Sequence, residues 1–162
     1  IIIGKKIKKI CLDKNVKFLV NDEPWLAKKL NADGCHLGQN DMNVEKARGI
    51  IGNKIIGVTC HNSVGLAKIA IESGADYLAF GAFHTTTTKK TRYQATTKIL
   101  NKVNKMTNIP IIAIGGINSN NYKNLLLNNA NFLAISGYVW NNKKYKPKQA
   151  VEILRWKLMQ EK

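Results

Sequence analysis

The chain has 162 residues, of which 44% are hydrophobic, and a formal net charge of +16. This length and composition fit a single domain over residues 1–162 with a substantial core. No apolar run reaches the roughly 18 residues that a membrane-spanning helix needs, and the apolar start is too short for a signal peptide. We therefore expect a soluble, cytoplasmic protein.

The positive charge has three interpretations. An excess of 26 lysines and arginines over 10 acidic residues is typical of proteins that bind nucleic acid or a membrane surface. The lysines are nevertheless dispersed over nearly every predicted helix and form no single block, which favours solvated helix faces. Steering of a small anionic substrate is the third interpretation.

Short apolar runs alternate with helical patterns along the chain. In chain order the predicted elements are helix 5–15, strand 16–20, helix 24–30, strand 35–37, helix 44–51, strand 55–59, helix 63–72, strand 77–80, helix 95–105, strand 110–114, helix 120–127, strand 132–135 and helix 148–159. Such alternation predicts an α/β fold with a parallel sheet. Continuous apolar strands are typical of a sheet covered on both faces.

The count of elements is six β–α units preceded by one helix. A closed (β/α)8 barrel has eight strands and about 200–250 residues. The chain is thus either an open doubly wound sheet or a TIM-type barrel in which the first two strands are missing. The leading helix, with no strand before it, favours the barrel. Two open sheet edges would leave room for a homo-oligomer that pairs them.

The stretch 111–117, IIAIGGI, predicts a phosphate site. Its apolar run ends in Gly115 and Gly116 and is followed by Asn118 and Ser119, which can cap a helix. Backbone N–H groups at such a turn bind phosphate. A second candidate, FLAISG at 132–137, follows one unit later. Two consecutive strand ends of this kind resemble the phosphate-binding corner of a barrel.

Two carboxylates follow neighbouring strands, Asp22 after the first and Asp41 after the second. In a barrel the active site lies at the carboxyl ends of the strands. Mg²⁺ takes one or two carboxylates together with substrate phosphate oxygens, so the pair predicts a magnesium site. The alternatives are that Asp22 caps the helix at Pro24 and that Asp41 is a turn residue.

The loop after the fourth strand contains the run TTTTKK at 85–90. Alternate residues of an extended loop face the same way, so Thr86 and Thr88 would point together with Lys89 beside them. Hydroxyls and an ammonium group can hold a pyrophosphate. The alternative is a polar, mobile loop.

The three histidines differ in setting. His36 lies inside an apolar strand, which predicts a hydrogen-bonded core histidine. His61 is placed to cap or brace a turn. His84 lies in the polar loop and is the best candidate of the three for a ligand contact.

The ordered series of motifs resembles the thiamine-phosphate synthase family from about Val16 to the last helix. The matching stretches are LVND (19–22), GCHLGQND (34–41), IIGVTCH (55–61), GADYLAFGAF (74–83), TTTK (86–89), IPIIAIGGIN (109–118) and FLAISGYVW (132–140). Each is weak alone, but together they are specific.

The resemblance implies a TIM barrel that joins 4-amino-2-methyl-5-hydroxymethylpyrimidine diphosphate to 4-methyl-5-(2-phosphonooxyethyl)thiazole. The products would be thiamine phosphate and pyrophosphate. The family's mechanism is dissociative: pyrophosphate leaves first, and the thiazole nitrogen captures the pyrimidine carbocation. The protein would supply charge stabilisation and positioning.

The resemblance also implies roles by position. Mg²⁺ on the pyrophosphate would be held by Asp22 and Asp41. The remaining roles are Asn21 on the pyrimidine side, Thr59 facing the substrate at a position where the family has serine, Lys89 on the pyrophosphate, Thr86 and Thr88 near the thiazole, and Gly116, Ile135 and Ser136 on the thiazole phosphate. Lys89 and Thr59 would be the catalytic pair.

Two departures from the family keep alternatives open. A Gln-x-Arg-x-Lys segment that grips pyrophosphate on the family's second strand has no match here, and Thr85 replaces a usual proline. The chain could thus be an incomplete gene product or a non-catalytic binder of phosphate ligands or nucleic acid. A related thiazole tautomerase is the other alternative, but it carries a catalytic histidine near Ala82, so alanine favours the synthase.

Overall fold

The computed structural model describes residues 1–86 and 93–160. Over this part the strands are β1 Leu19–Asn21, β2 Gly34–Leu37, β3 Ile55–His61, β4 Tyr77–Phe80, β5 Ile111–Ile114 and β6 Phe132–Ala134. The helices are α1 Ile2–Asp13, α2 Pro24–Lys29, α3 Val44–Ile51, α4 Val64–Glu72, α5 Thr97–Asn104, α6 Lys123–Leu127, α7 Gly137–Trp140 and α8 Pro147–Met159. The strand order in the sheet is β1-β2-β3-β4-β5-β6, as expected of β–α alternation.

Every predicted strand and helix is present, and α3 and β4 have the predicted bounds. Asn43 caps α3 as its side chain predicts, because its Oδ1 accepts a hydrogen bond from the backbone N–H of Lys46 at 2.9 Å. Helix α7 was not predicted. Its four residues are too few to show a helical period in the sequence.

By its internal contacts the chain divides into two compact units, of which the first comprises Ile1–Cys60 and Gly65–Leu78. Strands β1, β2 and β3 pair in parallel here, with Leu19 opposite Gly34 and Gly34 opposite Ile55. Fully buried apolar side chains fill its core: Ala27, Cys35, Leu37, Ala47, Ile56 and Cys60. The prediction of one domain over residues 1–162 stays a prediction.

The second unit comprises His61–Val64 and Ala79–Lys162. Strands β5 and β6 pair in parallel, with Ile112 opposite Phe132. Its most buried large side chains are Phe80, Leu100, Val103, Ile111 and Leu125. In the part of the chain that the structure describes, no helix is long and apolar enough to cross a membrane; the cytoplasmic location stays a prediction.

Arg48 ties the helix and strand ends of the first unit together. Its guanidinium donates to the carbonyl oxygens of Gly52 at 2.8 Å and Gly74 at 2.9 Å, and to Asp76 Oδ2 at 2.7 Å. The same oxygen of Asp76 accepts from the N–H of Ile56 at 2.7 Å. One side chain thus joins two connections, the one from α3 to β3 and the one from α4 to β4.

Replacing Arg48 by alanine should lower the free energy of unfolding by about 1–3 kcal/mol, because the half-buried carbonyl of Lys54, 2.5 Å from the guanidinium, and the acceptors in the two connections lose a charged donor. Urea unfolding followed by circular dichroism measures this. The control is Arg155→Ala on the exposed face of α8, which should change stability by about 0.5 kcal/mol or less. Equal losses in the two variants would contradict the role given to Arg48.

Candidate active site

The chain turns sharply after β1, where Asn21 and Asp22 lie exposed. Asp22 has φ +66°, a conformation that aspartate adopts more readily than most residues, and its N–H donates to the carbonyl of His36 at 2.8 Å. Helix α2 begins at Pro24 with Glu23 as the N-cap residue and no side-chain cap bond. The N-cap residue is therefore Glu23 and not Asp22.

Asp41 closes the turn after β2. Its Oδ2 accepts from the N–H of Gly38 at 2.6 Å, and its own N–H donates to the Gly38 carbonyl at 3.3 Å. Asp41 is thus a turn residue, as the alternative predicted. Its Oδ1 has no partner among the described residues, so the same carboxylate presents a charged oxygen to solvent.

His36, Thr59 and Tyr77 are half-buried and are joined by hydrogen bonds. The imidazole Nδ1 lies 2.8 Å from the phenol oxygen of Tyr77, and its Nε2 lies 2.8 Å from Thr59 Oγ1. Gly57 leaves room for this arrangement, because a Cβ there would overlap the Tyr77 ring. The expectation of a hydrogen-bonded core histidine at position 36 is confirmed. The hydrogen bond to His36 also fixes the hydroxyl of Thr59. The backbone carbonyl of Thr59 accepts a hydrogen bond from Gln39 Nε2 at 2.5 Å.

Burial lowers the pKa of the His36 imidazole below its ordinary value near 6.5. The negative charge of Asp41 raises this pKa, but its effect is the smaller of the two. Burial also raises the pKa of the Tyr77 phenol to about 12, so Tyr77 stays protonated at physiological pH. Both rings are therefore neutral near pH 7.

A depressed histidine pKa means that the unfolded chain binds more protons than the folded one below about pH 6.5. The free energy of unfolding should therefore fall as the pH is lowered from 7.5 to 5. Urea unfolding at the two pH values should show a larger fall in the wild type than in His36→Gln. An equal fall in both proteins would contradict the neutral, half-buried state of His36.

In the second unit, β5 runs into a loop that we call the β5 loop, residues 115–121. Gly115 and Gly116 have φ values of +95° and +64°. A Cβ at Gly116 would overlap the carbonyl oxygen of Thr85, so glycine is required there by both conformation and space. The N–H of Gly116 has no acceptor among the described residues, which leaves it available to an anion.

The end of β6 provides the second candidate turn. The strand ends at Ala134, and the half-buried Ile135 and exposed Ser136 lead into α7. The carbonyl of Ser136 accepts from the N–H groups of Val139 and Trp140, each at 2.9 Å. This places Ser136 at the start of a tight helical turn.

The polar loop after β4 is held at its two ends. The N–H of Ala82 donates to the Tyr93 carbonyl at 3.3 Å, and the Ala82 carbonyl accepts from the N–H of Ala95 at 2.9 Å. The ring of His61 stacks on Tyr93 at a centroid distance of 4.2 Å. His61 thus contacts one end of this loop, and its role in capping or bracing a turn stays a prediction.

Between those ends, Thr86 is half-buried, whereas Thr88 and Lys89 lie outside the described residues. His84 Nε2 is buried without a hydrogen-bond partner in the described part of the chain. An orphaned ring nitrogen suits a polar ligand atom, and the ligand contact of His84 stays a prediction. No group of three or more His, Cys, Asp or Glu side chains that could hold a metal occurs in residues 1–86 and 93–160.

Sequence reasoning missed Tyr77 as the partner of His36, and also a contact of Lys157 with the β5 loop, where its Nζ donates to the Ser119 carbonyl at 2.7 Å. Both contacts join residues more than 35 positions apart. Neither contact has a local signal in the sequence, because Gly57, which leaves room for the Tyr77 ring, is itself distant from Tyr77 along the chain.

Comparison with known proteins decides the family. The family model described as thiamine monophosphate synthase matches residues 2–139. The chain belongs to this family. Among thiamine-phosphate synthases, the protein of Pelagibacter ubique is 67% identical over 96% of this chain and 75% of its own length. The protein of Erythrobacter litoralis is 45% identical over 86% of this chain and 67% of its own length.

Among solved structures, the thiamine phosphate pyrophosphorylase of Pyrococcus furiosus matches with a TM-score of 0.86 and 31% identity. The match covers 98% of this chain and 75% of that one. The prediction of an α/β fold of the TIM (β/α)8 type is confirmed for this member of the thiamine monophosphate synthase family. The chain spans between two thirds and three quarters of the length of these three proteins.

Proposed function

We propose that the chain is a transferase that makes thiamine phosphate. In this reaction the C–O bond between the pyrimidine methylene and its diphosphate breaks, the thiazole nitrogen forms a C–N bond to that methylene, and pyrophosphate leaves. The observation that carries the proposal is the 67% identity to a thiamine-phosphate synthase over 96% of the chain. The hydrogen-bonded turns after β1, β2 and β5 support it.

Asp22 and Asp41 would hold Mg²⁺ on the diphosphate. The donor set fits the ion, because carboxylate oxygens are its preferred protein ligands and it keeps positions for phosphate oxygens and water. The Gly38 N–H on Asp41 Oδ2 fixes the orientation of that carboxylate and leaves Oδ1 for the ion. When bound there, Mg²⁺ would neutralise part of the negative charge of the diphosphate.

Asn21 and Thr59 would contact the pyrimidine substrate. Both lie at carboxyl ends of strands in the first unit, and the Thr59 hydroxyl is held by the neutral His36 ring. A fixed hydroxyl stabilises charge without having to reorient as pyrophosphate departs. The carbocation then needs a nucleophile nearby, which a bound thiazole supplies by proximity.

The phosphate of the thiazole substrate would bind to backbone N–H groups at Gly116, Ile135 and Ser136. The left-handed conformation of Gly116 and the free state of its N–H among the described residues support this role. Thr86 and Thr88 would lie near the thiazole, and Lys89 would bind pyrophosphate as a cation.

The test is a turnover assay of the 162-residue chain with both substrates and Mg²⁺, in which thiamine phosphate is measured by mass spectrometry. We expect thiamine phosphate and pyrophosphate in equal amounts, and neither product when one substrate is omitted. Conversion of a thiazole tautomer without pyrophosphate release would favour the tautomerase instead. Absence of both reactions would overturn the proposal.

A further inference from the structure

The β5 loop carries Ser119, a polar residue that is only 7% exposed. Two residues from beyond β6 hold it. The ammonium group of Lys157 in α8 donates to the Ser119 carbonyl at 2.7 Å and to Asn120 Oδ1 at 2.9 Å. The Tyr138 hydroxyl in α7 donates to Ser119 Oγ at 3.0 Å. Charge-assisted bonds of this kind are about twice as strong as neutral ones.

Inside the loop, the side chains of Asn118 and Asn121 fix the backbone. The N–H of Asn118 donates to Asn121 Oδ1 at 2.8 Å, and the N–H of Asn120 donates to Asn118 Oδ1 at 2.8 Å. Asn121 Nδ2 in turn donates to the Gly116 carbonyl at 3.0 Å. The segment from Asn118 to Asn121 is therefore held together by its own hydrogen bonds. Lys157 donates hydrogen bonds to Ser119 and Asn120, in the middle of this segment.

The bond to the Gly116 carbonyl has a consequence for anion binding. In a trans peptide the carbonyl of one residue and the N–H of the next point in opposite directions. Fixing the carbonyl of Gly116 therefore aims the N–H of Ile117. Neither this N–H nor that of Gly116 has an acceptor among the described residues. A rotation of the loop would turn both donors away from their target.

We propose that Lys157 is a positioning residue, which acts through Ser119 and Asn120 to keep the N–H groups of Gly116 and Ile117 aimed at a substrate phosphate. The inference rests on the proposed function for the identity of that phosphate, which is the thiazole phosphate. Lys157 lies beyond residues 2–139, which match the family model, so the family match gives it no role.

The test compares Lys157→Met, Lys157→Arg and the control Lys148→Met. Lys148 lies on the same helix, has an 87% exposed side chain and is 3.9 Å from Glu152. We expect Lys157→Met to raise KM for the thiazole phosphate about 10-fold, the loss that one charged hydrogen bond predicts, with kcat within about 3-fold. Lys157→Arg should restore much of the loss, because arginine keeps the charge and the donors.

A phosphate-specific readout separates positioning from general stability. Affinity for the unphosphorylated thiazole alcohol should be equal in the wild type and Lys157→Met. Equal losses for the alcohol and the phosphate, or an unchanged KM for the phosphate in Lys157→Met, would overturn the inference.

Inorganic phosphate separates this inference from the proposed function. It should shift the amide NMR signals of Gly116 and Ile117 in the wild type, and a higher concentration should be needed in Lys157→Met. That result without any thiamine phosphate formation would refute the proposed function and leave the positioning role standing. If thiamine phosphate forms but the phosphate titrations of the wild type and Lys157→Met are identical, the proposed function stands and the positioning role of Lys157 is refuted.

Discussion

An Asp41→Asn variant is expected to lose about 100-fold in turnover, the loss that follows removal of a charged group from a metal or transition-state site. Asparagine keeps an oxygen that can accept the Gly38 N–H, which Asp41 Oδ2 now accepts at 2.6 Å. The turn after β2 should therefore persist while the negative charge is lost. Steady-state kinetics at several Mg²⁺ concentrations measures the effect.

The matched control is Asp13→Asn at the end of α1, where the aspartate is exposed. It changes the net charge by the same amount, so any general effect of charge on anionic substrates appears in both variants. We expect Asp13→Asn to retain wild-type turnover. A higher Mg²⁺ requirement in Asp41→Asn supports the metal role, and wild-type turnover at every Mg²⁺ concentration would contradict it.

A Gly116→Ala variant is expected to raise KM for the thiazole phosphate by about 10- to 100-fold. The added Cβ meets two obstacles, a backbone at φ +64° and the carbonyl oxygen of Thr85. The first costs about 1 kcal/mol, and the second forces the β5 loop to move. Both displace the N–H groups proposed to bind the phosphate.

Gly52→Ala separates these two obstacles. Gly52 has nearly the same φ, +63°, but no atom lies within 4 Å of a Cβ built there. Both variants place a Cβ at a positive φ, and only Gly116→Ala also meets a steric obstacle. Gly52→Ala should lower the free energy of unfolding by about 1–3 kcal/mol and leave KM unchanged. An unchanged KM in Gly116→Ala would show that the phosphate binds elsewhere.

The sequence predicted the elements well because their signals are local. Apolar runs gave all six strands, and Asn43 marked the start of α3 through its own side chain. The first and last residues of the helices and strands were less predictable. Helix α6 begins at Lys123 rather than 120, because residues 118–121 hydrogen-bond among themselves instead of entering the helix.

The candidate site was predictable in its residue types but not in its hydrogen bonds. The turn at Gly115 and Gly116 follows from the glycine pair alone. The hydrogen bonds from Tyr77 through His36 to Thr59 depend on which side chains meet across neighbouring strands. The hydrogen bond from Lys157 to Ser119 depends on where the last helix packs. No short stretch of sequence encodes such long-range contacts.

A crystal structure with Mg²⁺, pyrophosphate and thiamine phosphate would test the proposed positions of the metal and of the phosphate most directly. It should place Mg²⁺ about 2.0–2.1 Å from carboxylate oxygens of Asp22 and Asp41, and the thiamine phosphate group on the backbone N–H groups at Gly116 and Ser136. Mg²⁺ on other ligands, or a phosphate group away from the β5 loop, would contradict the site proposed for this chain.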